Sequence, residues 1–169
     1  AVYQALSQHT AWQTGRVIVC NSDNLYSVNA LKTLLASEVP QALISYHRDS
    51  LLYPEERISA FALIRTDAEG YLLEIIEKPT KEQADELMAK QGRLGVSMNV
   101  FVFEASTFLP YLAKTPFHVV RNEKELPTSV VMFGEGEGKG FFAIPLAENV
   151  PDLTSKEDIL VMQKYLEET

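Results

Sequence analysis

The chain has one cysteine, Cys20, in 169 residues. A lone thiol closes no internal disulfide and makes no zinc site by itself. Cys20 ends an apolar run, so it reads as a buried core thiol and not as a nucleophile. Positive charge is scarce too: 15 Lys and Arg stand against 23 Asp and Glu, for a net charge of −8. Nucleic acids and anionic membranes are gripped by clustered Lys and Arg, so neither is expected as a partner. No run is long and apolar enough to cross a bilayer. No basic segment followed by an apolar one opens the chain, and the expected compartment is the cytoplasm. His9, His47 and His118 are scattered without metal-ligand spacing and read as structural or surface residues. An anionic substrate stays open, provided a few local cations or a metal ion meet it.

What is present suits a soluble globular protein: 46% hydrophobic and 22% charged residues, an ordinary balance. The length suits one domain, residues 1–169, with a sizeable core, and no linker or repeat divides it. The opening residues, 1–13, have helical apolar spacing through Val2, Leu6 and Trp12, with Gly15 as their stop. A start inside an uncapped helix suggests a cut fragment. Arg16 to Cys20 is a short β-branched run that reads as a buried strand of a parallel sheet. A loop over 21–24 and a helix over 27–37 follow, the helix carrying Val28, Leu31, Leu34 and Leu35 at helical spacing.

Further strands are expected over 41–46, 58–65, 71–77, 95–103 and 141–146, with a loop over 49–57. The acidic, glycine-ended link 67–70 makes 58–65 and 71–77 a hairpin. Thr80 and Gln83 form a capping box for a helix to about residue 90. Helices are also expected over 106–112 and 123–132, and a last one to about residue 168, capped by Thr154 with Glu157. Residues 134–140 read as a solvent loop of glycine and glutamate. Met88 and the aromatic residues read as core. Alternating strands and helices with one hairpin give an α/β fold with a mixed, mostly parallel sheet.

Three segments could carry chemistry. Asn21-Ser22-Asp23-Asn24 follows the first strand, and ligands of open α/β sheets bind outside such strand ends. A carboxylate there can hold Mg²⁺, which takes oxygen ligands and bridges to phosphates, although Asn and Asp are also common turn residues. Glu77-Lys78-Pro79 ends the hairpin. Its proline restrains the two preceding side chains; lysine suits a phosphate and glutamate suits sugar hydroxyls. An exposed charge pair would look the same. Pro151-Asp152-Leu153-Thr154 precedes the last helix, where Asp152 is either a capping residue favoured by the helix dipole or a second metal ligand.

Taken in order, the strand with its Asp-Asn loop, the hairpin ending Glu-Lys-Pro, the strand Gly-Val-Ser-Met-Asn-Val-Phe-Val-Phe and the Asp-Leu-Thr-Ser-Lys-Glu-Asp segment resemble the sugar-1-phosphate nucleotidyltransferases. The resemblance covers nearly the whole chain, and Glu-Lys-Pro after the hairpin is its most specific part. It implies a Rossmann-like nucleotidyltransferase fold. The implied reaction joins a nucleoside triphosphate to a sugar-1-phosphate and releases pyrophosphate, with Mg²⁺ as cofactor. Asp23 and Asp152 match the two metal aspartates and are, with Lys78, the implied catalytic residues. Lys78 resembles the lysine that meets the sugar phosphate and Glu77 the sugar-contacting glutamate. Asn24, Ser97, Met98 and Asn99 fall among the implied substrate-binding residues. The helix of residues 1–9 resembles the one following the family's base-binding segment.

The departures matter as much. The family opens with a strand and a Gly-Gly-x-Gly-Thr-Arg-Leu loop whose amides and arginine bind the triphosphate, and this sequence has none. It also carries Phe61-Ala62-Leu63 where the family often has a glycine. The expectation is an N-terminally truncated, partial domain, inactive alone and able to self-associate through the face where the absent segment packs. The alternative is a non-catalytic domain of the same fold that binds a sugar nucleotide or a partner subunit. The base and the sugar are left open.

Overall fold

The computed structural model describes residues 1–156 and 158–168. Its centre is the longest strand, β5 (Gly95–Glu104), an apolar run buried on both faces. Alternation along a strand sends successive side chains to opposite sides. Val100 and Val102 thus enter one core, while Phe101 and Phe103 enter the other. The first core packs α2 (Val28–Ala36) and α4 (Lys81–Gln91) on the sheet through Ala30, Leu34 and Leu87. The second packs α1 (Val2–Gln8), α5 (Ala105–Lys114) and α6 (Leu126–Glu137) through Leu6, Phe108, Leu112, Val130 and Phe133. Phe103, Phe108, Phe133 and Phe141 meet there at tilted or edge-on angles, and each such buried ring contributes roughly 1.5–3 kcal/mol.

The sheet runs β4-β3-β5-β2-β6, with β1 (Arg16–Cys20) also on β5. Here β2 is Ala42–His47, β3 Leu63–Thr66, β4 Leu72–Ile76 and β6 Phe142–Leu146. The mixed α/β architecture is as the sequence led us to expect, but the balance of directions is not. Among the described residues only β2 and β6 pair in parallel; β5 runs antiparallel to β1, β2 and β3, and β3 to β4. The reversed central strand accounts for this, because each strand laid against it counts as antiparallel. β1 is likewise no buried parallel strand. Its one partner among the described residues is β5, its centre is half-buried and its ends are exposed. Cys20, at its exit, is exposed rather than in the core.

Several local expectations change for stated reasons. The first helix stops at Gln8, and a short 3-10 turn over Thr10–Trp12 leaves Trp12 51% exposed. Gly15 caps no helix. It precedes β1 at φ 81°, and its N–H donates to Glu104 Oε1 at 2.7 Å. Val28, Leu35 and Met88 lie outside the core at 68%, 58% and 40% exposure. The expected loop over 49–57 holds a short helix, α3 (Glu55–Ile58), whose first turn carries Glu55 and Glu56 where the helix dipole favours acids. That helix takes Ile58 from the hairpin, so β3 begins only at Leu63.

Residues 134–140 are no solvent loop. α6 continues through Gly134 and Gly136 and closes at Gly138 in a left-handed turn. The glycines serve close packing. A Cβ on Gly136 would stand 2.4 Å from the Tyr111 hydroxyl, and one on Gly140 2.2 Å from the Leu72 carbonyl oxygen. The last helix, α7, is Asp158–Glu168. Glu157, expected to cap it, lies outside the described residues, and the Thr154 hydroxyl donates to Asp152 instead. Among the described residues no helix is long and apolar enough to cross a membrane.

Candidate functional site

Along one side of β5, residues 100–104 pair with β1 and residues 95–96 with β3. The carboxyl end of β1 and the start of β3 therefore point at each other across a gap, and Ser97, Met98 and Asn99 line it. On the opposite side of β5 the register slips between Leu43 and Ser45. This bulge puts Asn99 at φ 54°, a left-handed conformation that Asn tolerates better than most residues. A bulge re-aims side chains beside a functional cleft. Ser97 and Met98 are buried, at 7% and 6% exposure, and Asn99 is half-buried.

One bank of the gap is densely braced. Residues 21–24 leave β1 and are stitched to residues 151–153. Leu25 N–H donates to the Pro151 carbonyl at 2.8 Å and Leu153 N–H to that of Asp23 at 2.7 Å, around a bridge between Asn24 and Asp152. The Tyr26 hydroxyl donates to the Met98 carbonyl at 2.5 Å, accepts from Asn21 N–H at 3.3 Å and lies 3.2 Å from Asn24 Oδ1. Burial pushes the pKa of Tyr26 well up, keeping it a neutral donor. Behind it, Ser27 caps α2 by accepting from Ala30 N–H, while Asn29 donates to Glu148 at 2.6 Å.

Asp152 is fully partnered. Its Oδ1 accepts from Asn24 Nδ2 at 3.1 Å, and its Oδ2 accepts from Arg57 Nη2 and from Thr154 Oγ1, each at 2.5 Å. Arg57, at the end of α3, also donates to both carboxylate oxygens of Asp158 and lies over the Tyr53 ring, 4.9 Å from its centroid. The hydrogen bond from Arg57 holds Asp158 down to about 2, against an ordinary 3.8. Burial, with Asp152 adding to it, pushes Tyr53 up to about 12. Tyr53, Arg57, Asp152 and Asp158 line an open pocket of about 370 Å³ with Leu52 and Pro151.

The other bank is bare. Glu77 and Lys78 follow β4 and are exposed, with Lys78 at φ 47°. The row Ile76–Leu63–Val96 crosses β4, β3 and β5, so the segment after Ile76 runs two strand spacings, about 10 Å, from β5. Glu77 lines a shallow groove against α6 with Glu74, Glu125 and Glu135.

The six expected site residues outside the hairpin end thus come to one region: Asp23 and Asn24 beside Asp152, with Ser97, Met98 and Asn99 reached through Tyr26. The donor chemistry meets Mg²⁺ only halfway. The exposed Asp23 carboxylate has no hydrogen bond or ion pair among the described residues. Asp152 already carries a guanidinium where a metal would need its charge. No group of three or more His, Cys, Asp or Glu able to hold a metal occurs among the described residues.

Tyr26, Arg57 and Asp158 are the residues the sequence reading missed. The signal for Arg57 was the pair Glu55-Glu56 after Pro54, a helix opening that places an arginine at its far end. Tyr26 carried no such signal, since its partners lie on β5 and in the loop before it.

Comparison with known proteins agrees with this architecture. A Bacillus anthracis chain assigned as a glucose-1-phosphate thymidylyltransferase, solved in complex with a sucrose, superposes with a TM-score of 0.62 at 12% identity. The match covers 98% of this chain and 60% of that one; at such identity it speaks for the fold alone. The family described as Nucleotidyl transferase matches residues 1–126, a stretch that holds β1 with its Asp-Asn loop, the hairpin and the bulged β5. On that match the chain belongs to the nucleotidyl transferase family.

Proposed function

We propose that all 169 residues form one partial nucleotidyltransferase domain, the sugar-phosphate side of a sugar-1-phosphate nucleotidyltransferase. In the reaction, an oxygen of the sugar-1-phosphate attacks the α-phosphorus of a nucleoside triphosphate in line. The new P–O bond replaces the one to the β-phosphate, and pyrophosphate leaves. No protein nucleophile is needed; catalysis rests on positioning and charge stabilisation. Lys78 meets the sugar phosphate as a compact cation and Glu77 accepts from a sugar hydroxyl. Asn24 and Asn99 offer amide groups at the gap, and Ser97 and Met98 floor it. Bound Mg²⁺ supplies charge neutralisation at the phosphates. The free carboxylate available to it is that of Asp23, and Asp152 as held by Arg57 adds none.

The observation that carries this reading is the stitching of residues 23–25 to 151–153 at the carboxyl end of β1, beside the bulge at Asn99. Titration of the ¹⁵N-labelled chain with α-D-glucose-1-phosphate is the test. Shifts gathered on Asn24, Lys78 and Asn99 support it, and saturating ligand that leaves all three unmoved overturns it. By itself the chain is expected to release no pyrophosphate, since it carries no glycine-rich triphosphate loop. Turnover on the order of 1 per second or more overturns that expectation.

The Arg57–Asp152 ion pair favours a second reading, a non-catalytic domain that binds a sugar nucleotide, because it spends a carboxylate the reaction calls for. Activity of the protein carrying this chain together with a glycine-rich loop decides between them. Loss of about 10³-fold or more in an Asp23→Ala variant, with the fold intact, supports the enzyme.

A further inference from the structure

Arg57 sits between two carboxylates. It holds Asp158 through two hydrogen bonds, at 2.7 and 3.4 Å, and Asp152 through one at 2.5 Å. The side chains of Asp152 and Asp158 are only 12% and 13% exposed, and that of Arg57 29%. A planar guanidinium with five donors can release one carboxylate without losing its other partner. The Tyr53 ring under it keeps it over both. Asp152 is also the residue whose backbone bridges Asn24, next to the unpartnered Asp23. A divalent ion beside Asp23 would meet Asp152 already bound to a cation, and two cations on one carboxylate repel.

We propose that Arg57 is an exchangeable counter-ion of Asp152: a divalent cation gains Asp152 only when the guanidinium withdraws wholly onto Asp158. The proposal rests on the reading of Asp23 and Asp152 as a cation pair. It explains why one arginine serves two aspartates, and why the disagreement with Mg²⁺ falls on Asp152 and not on Asp23. Asp158 is then the arginine's alternative seat, and it couples the start of α7 to the loop after β1. Arg57 acts through Asp152, as a positioning residue.

The direction of the effect separates this from ordinary support of a ligand. Removing a residue that merely orients a metal ligand weakens metal binding, by about 10–100-fold. Removing a competing cation strengthens it. Mn²⁺ affinity of the chain, read from the free-ion electron paramagnetic resonance signal, is the measurement, with circular dichroism as the check of fold. Arg57→Gln is expected to tighten Mn²⁺ binding by about tenfold, the order expected from removing one nearby like charge in a partly solvated site. Asp158→Asn, which removes the alternative seat, is expected to weaken it, and Asp152→Asn placed on Arg57→Gln is expected to abolish the gain. A second readout needs no variant: Mg²⁺ should shift the Arg57 guanidinium resonances, and calcium-free, magnesium-free buffer should restore them. Asp23-dependent Mn²⁺ binding that Arg57→Gln weakens or leaves unchanged, with unmoved Arg57 resonances, overturns the counter-ion proposal and leaves the Asp23–Asp152 reading standing. Failure of both the parent chain and Arg57→Gln to bind Mn²⁺ overturns that reading and the proposal together.

Discussion

The two banks of the gap in the sheet are built on opposite plans. On one, residues 21–27 and 151–158 are tied by backbone bridges, the Tyr26 hydroxyl and the Arg57 ion pairs. On the other, Glu77 and Lys78 stand exposed after β4. The difference teaches where positional accuracy is bought by structure and where it is left to the ligand. A braced group is ready before binding, whereas an exposed lysine must lose side-chain freedom when a phosphate arrives, at a cost on the order of 1–2 kcal/mol. The braced bank should therefore answer to mutation through stability, and the bare bank through affinity.

The largest effect is expected from Tyr26→Ala, which removes both the hydroxyl between Met98 and the 21–24 loop and a ring packed on the first core. A loss of about 3 kcal/mol in urea unfolding is expected. A loss below about 0.5 kcal/mol would erase the contrast between the banks. Acid should act on the same bank next. Asp158 titrates at about 2 in the fold against an ordinary 3.8. A depressed acid contributes stability above its unfolded pKa and loses it as pH falls through the folded one. The braced bank should therefore loosen between about pH 4 and 2, followed by amide shifts of Ser155 and Asp158, and Asp158→Asn should remove the acid dependence in that window.

On the bare bank, Lys78→Ala is expected to stay within about 0.5 kcal/mol of the parent in stability while weakening α-D-glucose-1-phosphate binding in the same titration. Equal losses of both would show Lys78 to be structural. The smallest effect lies outside the banks. β1 has one strand partner among the described residues, and a strand paired on one side invites strand pairing between chains on the other. Weak self-association is expected in light scattering at rising concentration and should vanish in Val17→Lys. A strictly monomeric parent at high concentration rejects the idea.

How much of this was written in the sequence depends on the range of the forces concerned. The capping box of Thr80 and Gln83 was legible because its partners are three residues apart, and both of its hydrogen bonds are present. The strand over 95–103 was legible for the same local reason, since a run of apolar and β-branched residues needs no distant partner to be seen. The direction of β5 was not, because strand direction is set by the connections and not by the residues of the strand. Gly134 and Gly136 misled, since a glycine inside a helix reads as a break until the neighbour that needs its missing Cβ is known. At the candidate site, Asp23, Glu77, Lys78 and Asp152 were singled out through motif order. Arg57 was not, because its partners lie 95 and 101 residues away.

The left-handed backbone at Asn99 bears on how relatives of this chain drift. A position that demands positive φ admits chiefly glycine, asparagine and aspartate, whatever its side chain does. An asparagine that recurs here through evolution would thus testify to the shape of the bulge as readily as to a bond with a sugar. Swapping in glycine divides the two kinds of inheritance: it spares the shape and deletes the amide.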